Sequence, residues 1–419
     1  MNSRAIVLAA ASLVCVPALA AQEADSILAR LERAERLIEV LQAQVAEQAE
    51  SKVEPGAGGR LELFGLVLLN GFSNSAMVNN ADVPYYVRRP DPASTLPESF
   101  LGGTMRQTRI GLRGVHPEVL GGEFSGELEL SLFGGQLAEG RLASLVRIRR
   151  ARAVLRWPNA WILFGQEAPP IAEVNPSSLA AVDRPGFTAA GNLWFWLPQV
   201  RLGVEAGRAV KVGLEVAAVA PMGPPDQPQQ IDTEPNLAEL SRRPFVQGRV
   251  LARWGDPEIA GGEVGIGGHY GWLATDGADL RVTKAAAVTA RFFATRYVEV
   301  RGEAFTGQAL ATLGSGGVAQ DFGLGGVPIR TRGGWVQLNV LPTFEWEVGG
   351  GFGMDDPNDD DLDLTTQRRR NVHFEGHVHW RPHPLVFGVE LRRIRTRYGV
   401  ATTTDWGNTH VNVAMGFAF

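Results

Sequence analysis

The chain has 419 residues and a formal net charge of −5, which argues against a general nucleic-acid binder. Its mean hydropathy of −0.04 is too polar for a helical membrane protein, whereas 50 glycines suit turns and closely packed strands. The only cysteine, Cys15, falls in a predicted export signal, so we expect neither disulfide nor thiol chemistry in the exported chain.

Residues 1–21 have the features of a secretory signal. Arg4 supplies the positive start, residues 6–16 form a short apolar stretch, and Ala18-Leu19-Ala20 provides the small-residue cleavage pattern. No later segment offers roughly 18 uninterrupted apolar residues, so membrane insertion as a helix is not expected. If the exported chain enters a membrane, it must do so as strands.

Residues 22–50 lack glycine and proline and are predicted to form a short periplasmic coiled-coil helix. Apolar residues recur at alternating spacings of four and three, as in a coiled-coil seam: Ile27, Leu31, Ala34, Ile38, Leu41 and Val45. Isoleucines in the seam favour more than two helices. A single amphipathic helix remains the alternative, and residues 51–59 are predicted to be a flexible linker.

From residue 60 to residue 419 the apolar period changes to two, which predicts an all-β, 16-stranded antiparallel transmembrane β-barrel. The predicted strands are 60–72, 104–114, 122–133, 142–157, 160–166, 199–207, 209–221, 244–255, 262–273, 281–294, 297–308, 333–341, 343–353, 370–381, 385–397 and 408–419. Long and short connections alternate, as expected for extracellular loops and periplasmic turns. A soluble β-sandwich or propeller is the alternative.

Residues near strand ends and at the end of the sequence favour the barrel. The last predicted strand alternates apolar residues up to Phe417 and Phe419. Six tryptophans also fall near predicted strand ends, where an aromatic girdle is expected: Trp157, Trp161, Trp254, Trp272, Trp335 and Trp380.

Strand parity predicts a charged, hydrated lumen. The apolar side of each strand is assigned to lipid, and charged residues fall on the other side. The predicted pore-lining and solute-binding residues are Arg109, Arg113, Arg147, Arg149, Arg301, Arg392, Glu127, Glu129 and Glu303. Carboxylates opposite a row of guanidinium groups would create a transverse field that orients a small anion. The alternative is that these charges only pair with one another and keep the pore hydrated.

The segment 146–154 contains four arginines of both parities. Arg147 and Arg149 are assigned to the pore, while Arg150 and Arg152 would then face outward. A charge on the lipid face costs about 2 to 4 kcal/mol at the midplane. We therefore expect the second pair at a strand end or in a subunit contact.

Metal binding, cofactors and enzymatic chemistry are not predicted. Alternate residues such as His373, His377 and His379 share a strand face with Glu375, but their spacing of roughly 6 to 7 Å is wide for two ligands of one ion. The acidic run 355–363 lacks the central glycine and closing glutamate of a calcium loop, so we interpret it as a solvated extracellular loop. No Ser/His/Asp arrangement is recognisable.

The order of signal, coiled coil, linker and sixteen strands resembles the DcaP-like trimeric outer-membrane porins. The local matches are Arg106-Gln-Thr-Arg-Ile-Gly111, Arg147-Ile-Arg149, Leu163-Phe-Gly-Gln166 and Gly302-Glu-Ala-Phe305. The resemblance implies a homotrimer of separately conducting barrels that select small anions such as dicarboxylates. Carried onto this sequence, the constriction residues are Arg109, Arg147 and Arg149, with a loop at 167–198 that could fold inward.

The leading hypothesis is therefore a passive, anion-preferring porin in the Gram-negative outer membrane, in contact with lipid and lipopolysaccharide. The alternative is a structural or adhesive barrel with a filled lumen and a periplasmic tether. An outer-membrane hydrolase is the least favoured hypothesis.

Overall fold

The computed structural model describes residues 59–419 except 96, 138–139, 223–234, 256–259, 276–278 and 400–404. The predicted signal, the coiled coil and nearly all of the linker lie outside these residues. Among the described residues, no helix is both long enough and apolar enough to cross a membrane.

The described chain consists of strands joined by turns, longer connections and four short 3-10 helices. The strands are β1 (Arg60–Asn74), β2 (Phe100–Thr104), β3 (Arg109–Val119), β4 (Gly122–Ser131), β5 (Gln136–Leu137), β6 (Gly140–Ser144), β7 (Arg147–Arg156), β8 (Ala160–Glu167), β9 (Leu197–Gly207), β10 (Val210–Val219), β11 (Phe245–Trp254), β12 (Gly262–Ala274), β13 (Leu280–Thr295), β14 (Val298–Gln308), β15 (Arg330–Val340), β16 (Trp346–Pro357), β17 (Arg368–Trp380), β18 (Leu385–Tyr398) and β19 (Asp405–Ala418). The 3-10 helices are Glu239–Ser241, Ala311–Leu313, Leu324–Gly326 and Asp359–Asp361.

Sequential strands pair antiparallel until the sheet closes on itself. The closing pair is β1 with β19, in register from Leu66 opposite Ala418 to Asn74 opposite His410. Strands β2 and β3 both pair with β1 and together fill one position, while β5 and β6 form a separate hairpin. The predicted 16-stranded antiparallel barrel is confirmed.

The two ends of the barrel differ in the length of their connections. One end carries short turns such as 120–121, 157–159 and 296–297, and we call it the short-turn end. The other, the long-loop end, carries 75–99, 168–196 and 309–329. This arrangement largely follows the predicted alternation; an exception is the five-residue connection 275–279 at the long-loop end.

Side chains alternate between an apolar outer surface and a polar interior. In β18, Val389 and Leu391 are each 53% exposed, while Glu390 and Arg392 between and beside them are buried at 3% and 2%. A strand with this alternation can lie between hydrocarbon and a polar lumen because its period of two separates the faces.

The predicted aromatic girdle is only partly present on the outer surface. Trp380 stacks on both Trp346 and Phe387 close to the short-turn end. Trp335 and Trp161, in contrast, are buried at 3% and 9% on the inward face of their strands, so their assignment to the girdle is wrong. Parity, and not nearness to a strand end, decides which face an aromatic residue occupies.

The largest apolar core lies inside the barrel, toward the long-loop end. It joins inward residues of β10–β14 to the connections 168–196 and 309–329. Its members include Ile171, Leu193, Phe245, Leu273, Phe305, Leu310 and Leu313, all almost completely buried. This part of the lumen is therefore filled by side chains.

The acidic run 355–363 is less solvated than predicted. Asp355 lies in β16, is completely buried, and accepts hydrogen bonds from the Val318 amide and the Thr331 hydroxyl. Beyond the strand, Asp361 accepts hydrogen bonds from the Arg330 guanidinium at 2.8 and 2.9 Å. These bonds hold the pKa of Asp361 below its usual value. The run anchors the connection after β16 to its neighbours.

Candidate functional site in the barrel lumen

The connection between β8 and β9, residues 168–196, runs through the interior of the barrel, and we call it the lumen loop. It contacts inward side chains of strands on several sides of the barrel in turn. The sequence left open whether it folds inward, and the structure shows that it does. The loop therefore occupies part of the lumen and lies against several of its walls.

The first part of the lumen loop is anchored by one carboxylate between two buried arginines. Glu173 accepts hydrogen bonds from Arg201 of β9 and Arg249 of β11. Both guanidinium groups are only 2% exposed, and both also contact Glu215 of β10, at 3.3 and 3.0 Å. Buried charges of this kind are tolerated because each has charged partners.

The middle of the loop is fixed to the opposite part of the barrel by Glu390 of β18. The carboxylate accepts hydrogen bonds from the amides of Leu179 and Ala180 and, at 2.7 Å, from the Ser178 hydroxyl. Arg392, the predicted pore residue on the same strand, donates to the Ser178 hydroxyl at 2.8 Å. Arg392 is therefore a buried clamp for the loop and has little surface to offer a solute.

The last part of the loop packs against β14–β17. Phe187 stacks on Trp335 with 5.5 Å between ring centres, and Asn371 donates to the Ala189 carbonyl at 2.9 Å. Gly191 has a φ of +106°, and a Cβ at this position would lie 2.2 Å from the carbonyl oxygen of Gly334. Only glycine allows this approach of two backbones, so the loop can lie directly on β15.

The arginine-rich strand β7 contains a β-bulge at Arg149. Glu129 of β4 is opposite Arg150, and the next residue, Leu130, is opposite Ile148, so Arg149 is the extra residue. Ile148 is 50% exposed on the outer surface. A bulge inserts one residue into one strand and thereby changes the parity beyond it.

The bulge brings all four arginines of the segment to the lumen. Arg147 on one side of it, and Arg150 and Arg152 on the other, all share the inward face with Glu127 and Glu129 of β4. The expectation that Arg150 and Arg152 lie at a strand end or in a subunit contact is therefore wrong. It assumed an unbroken period of two.

These arginines and their neighbours form what we call the arginine cluster. Its members are Arg109, Arg147, Arg149, Arg150, Arg152, Glu127, Glu129, Glu167 and Asp183. Each carboxylate contacts at least two of the arginines: Asp183, for example, lies 3.2 Å from Arg147 and 3.9 Å from Arg149. Five guanidinium groups thus share four carboxylates.

Two residues of the lumen loop take part in the contacts of the arginine cluster. Asp183 is one, and Trp196 is the other, with its ring 4.4 Å from the Arg149 guanidinium carbon and 5.6 Å from that of Arg147. Such stacking holds a cation without neutralising it. Arg150 and Arg152 keep 31% of their side-chain surface exposed, so the cluster remains accessible.

All nine predicted pore residues lie on inward faces, but they do not form one site. Arg109 and Arg113 pair with Glu129 and Glu127 on the same wall, at 2.9 and 3.4 Å. The prediction that these two glutamates lie opposite the arginine row is wrong, because β4 is located between β3 and β7. The transverse field cannot come from them.

The remaining predicted pore residues lie on other walls. Arg301 of β14 pairs with Glu299 at 2.7 Å and donates to the Asn175 carbonyl of the lumen loop. Glu303, on the same strand, accepts a hydrogen bond from the Leu193 amide at 3.0 Å. Both residues therefore support the loop from the side facing away from the arginine cluster.

Sequence reasoning missed the acidic and aromatic residues that the loop brings into the lumen. Glu173, Asp183 and Trp196 lie in a connection without periodicity, so parity could not assign them. Glu167 was included in the region proposed to fold inward, but its contacts with Arg150 and Arg152 depend on the bulge. The signal available was composition alone: Glu173 and Asp183 are the acidic residues of this long connection, and Trp196 lies at its end.

Two of the histidines in β17 lie much closer together than predicted. The rings of His377 and His379 stack with 4.2 Å between centres, and both approach Glu347 of β16. The expected separation of roughly 6 to 7 Å applies to the backbone, and the side chains bend toward each other. His373 lies apart from this group, with its Nε2 2.9 Å from the Tyr85 carbonyl oxygen.

No family model matches the chain, and the comparison with curated proteins gives no match. Solved structures do match. The outer-membrane channel DcaP of Acinetobacter baumannii is 16% identical, with a TM-score of 0.67 over 88% of this chain and 100% of that one. The anion-selective porin from Comamonas acidovorans is 15% identical, with a TM-score of 0.54 over 86% and 100%.

A third similar structure is that of Pseudomonas putida OprB, 12% identical, with a TM-score of 0.53 over 86% of this chain and 94% of that one. At these identities the likeness concerns the fold. The chain has the fold of outer-membrane porins. The resemblance to the DcaP-like porins is thereby confirmed at the level of the fold.

Proposed function

We propose that the protein is an outer-membrane porin through which small anionic solutes, dicarboxylates among them, diffuse passively. The observation that carries the proposal is the arginine cluster, where five guanidinium groups share four carboxylates on one wall of the lumen. Guanidinium groups bind carboxylate and phosphate oxygens through two parallel hydrogen bonds. A passing anion meets partly exposed arginines whose positive charge is only partly neutralised by the neighbouring carboxylates.

The position of the cluster supports a role in selectivity. It lies beside the lumen loop, which takes up part of the interior, so an anion crossing the barrel on this side passes within reach of Arg147 and Arg149. A field is strongest where low-dielectric walls lie close together. The same arginines on a wide wall would be screened by salt.

The outer surface supports insertion in a lipid bilayer. Between the stacked aromatic residues of the short-turn end and the charged residues near the long-loop end, β18 exposes Val389 and Leu391, and β19 exposes Val411 and Val413. Basic residues such as Arg332 and Arg395 follow at the long-loop end. That order suits an apolar membrane interior followed by anionic lipopolysaccharide groups.

A homotrimer remains part of the proposal. It rests on the resemblance to the DcaP-like porins and on the isoleucines of the predicted coiled coil at 22–50. The predicted signal and the barrel together favour the Gram-negative outer membrane, with the coiled coil in the periplasm. Crosslinking of the full exported chain would test the trimer, and a chain lacking residues 22–50 would test the contribution of the coiled coil.

The reversal potential in a salt gradient tests the anion preference. Purified protein is inserted into a planar bilayer with potassium chloride at different concentrations on the two sides. We expect the sign of the potential to correspond to chloride moving faster than potassium. A potential of the opposite sign would reject the anion preference and leave the porin itself standing.

A closed barrel with a structural or adhesive role is the second candidate, and the contacts of the lumen loop favour it. The loop is hydrogen-bonded to several walls, and an apolar core fills part of the interior. Conductance separates the two functions. Folded protein that inserts into the bilayer and carries no current would support the closed barrel.

A further inference from the structure

A further cluster of titratable side chains in the lumen lies near the short-turn end, on the wall formed by β16–β18. Its members are Glu347, His377, His379, Arg381 and Glu390. Neither Glu347 nor the two histidines contact the arginine cluster or take part in the proposed anion selectivity. Within the described residues, Glu347, His377 and His379 also bring three potential metal-ligand atoms within 4.8 Å of one another.

We infer that Glu347, His377 and His379 bind a divalent transition-metal ion, of which zinc fits the ligand set best. Two imidazoles and one carboxylate, with a fourth position left for water, form a ligand set typical of accessible zinc sites. The inference does not depend on the porin function, since it concerns binding to the folded barrel.

The two distances from Glu347 to the histidine nitrogens suit tetrahedral coordination. Glu347 Oε1 lies 2.9 Å from His377 Nε2 and 3.5 Å from the Nδ1 of His379. Bonds of about 2.0 to 2.1 Å at tetrahedral angles separate two ligand atoms by roughly 3.3 Å. A zinc ion can therefore replace the hydrogen bond between His377 and Glu347 with only small side-chain movements, provided that the proton on His377 Nε2 is released to solvent or the ring changes to the tautomer protonated on Nδ1.

The surroundings of His379 provide the usual support of a metal-binding histidine. Its Nε2 lies 3.0 Å from Glu390 Oε1 and donates its proton there, which leaves the lone pair on Nδ1 directed toward Glu347. A carboxylate that accepts the other ring proton fixes the tautomer and strengthens the ligand. Glu390 is the carboxylate that accepts the Nε2 proton of His379.

Arg381 is the group that the ion must displace. Its guanidinium lies 2.9 Å from His379 Nδ1 and also donates to Glu347 at 2.9 Å. The side chain is 34% exposed, so it can turn into the lumen while the buried ligands stay in place. The bound ion then replaces the Arg381 guanidinium as the positive charge beside Glu347.

Calorimetric titration of the full exported chain, folded in detergent and first treated with a chelator, tests the inference. We expect saturable binding of one zinc ion per chain, and loss of at least tenfold in affinity in each of His377→Gln and His379→Asn. Both substitutions keep a hydrogen-bonding side chain beside the glutamates, so the barrel is expected to fold. Heat-dependent migration in gel electrophoresis checks that it does.

His373→Gln is the matched control, because this histidine faces the lumen from the same strand but contacts the Tyr85 carbonyl. Its zinc affinity should equal that of the unchanged chain. Absence of saturable zinc binding by the unchanged chain, or equal affinity of the folded double variant of His377 and His379, would overturn the inference. Neither result would change the reversal potential measured in the presence of chelator.

Discussion

The Arg149 guanidinium lies 4.4 Å from the centre of the Trp196 ring, so the bulge of β7 and the end of the lumen loop meet at one point. The Arg149 guanidinium is held by two partners: it stacks on the Trp196 ring and donates a hydrogen bond to Glu129 at 2.7 Å. Arg149 is thus fixed and still charged toward the lumen.

Replacing Arg147 and Arg149 together by alanine should weaken or abolish the preference for anions. The cluster then loses two of its five guanidinium groups and keeps its four carboxylates, so the positive charge on this wall falls. The reversal potential should move toward that of a cation-preferring channel. The matched control is Arg332→Ala with Arg395→Ala, which removes two arginines from the outer surface and should leave the potential unchanged. Equal potentials in the lumen variant and the unchanged chain would remove both residues from the selectivity site.

Deletion of Arg149 should leave a folded barrel. Without the extra residue, Ile148 stays opposite Leu130 and Arg150 stays opposite Glu129, so the strand pairs one to one. Deletion of Ala151 also removes the bulge but moves Arg150 to the outer surface, at a cost of about 2 to 4 kcal/mol near the membrane midplane. Thermal unfolding followed by gel migration should place the melting of the second variant well below that of the first. Equal melting temperatures of the two deletion variants would contradict the assignment of a bulge at Arg149.

Replacing Glu173 by glutamine should loosen the first part of the lumen loop. Arg201 and Arg249 lose the carboxylate that they share with the loop and keep only Glu215 in common. We expect a larger and noisier single-channel current, because the loop then moves away from the wall. Glu205→Gln removes the same charge at the short-turn end, where Lys211 is its partner at 3.3 Å, and should leave the current steady. Identical traces for the two variants would show that Glu173 does not anchor the loop.

Replacing Gly65 by valine should prevent correct closure of the barrel. A Cβ at this position would lie 2.5 Å from the Phe419 ring and 2.8 Å from the Arg109 carbonyl oxygen. Gly65 and Phe419 also exchange two backbone hydrogen bonds, at 2.8 and 3.1 Å, where the first and last strands meet. Gly71→Val is the control on the same strand, because its Cβ would meet open space. The yield of heat-modifiable, folded protein should fall in the first variant only.

The period of two predicted most of the fold, and it failed where that period is interrupted. The sixteen strand positions and the inward faces of residues such as Glu303 and Arg392 follow from alternation, which is a local property of the sequence. One extra residue at Arg149 reverses the parity beyond it, and nothing in a run of four arginines distinguishes a bulge from a regular strand. The side chains of Arg150 and Arg152 were misplaced for this reason.

The candidate site was less predictable than the fold because its contacts join distant parts of the sequence. Asp183 meets Arg147 and Leu179 meets Glu390 only after the lumen loop has crossed the interior. Hydropathy carries no information about such pairs. The pairing of Glu127 and Glu129 with arginines of their own wall likewise follows from strand order and cannot be read from the residues alone.

The lumen loop is bonded to the wall at three successive points. Glu173 contacts Arg249 of β11, Ala180 contacts Glu390 of β18, and Leu193 contacts Glu303 of β14. The loop therefore resists deformation of the barrel cross-section. Flattening the cylinder along a direction that the loop spans would have to break these hydrogen bonds and the ion pair before the strands themselves separate. The largest solute that can pass should therefore be insensitive to lateral pressure from the surrounding bilayer, and lipids of different chain length should give the same size limit.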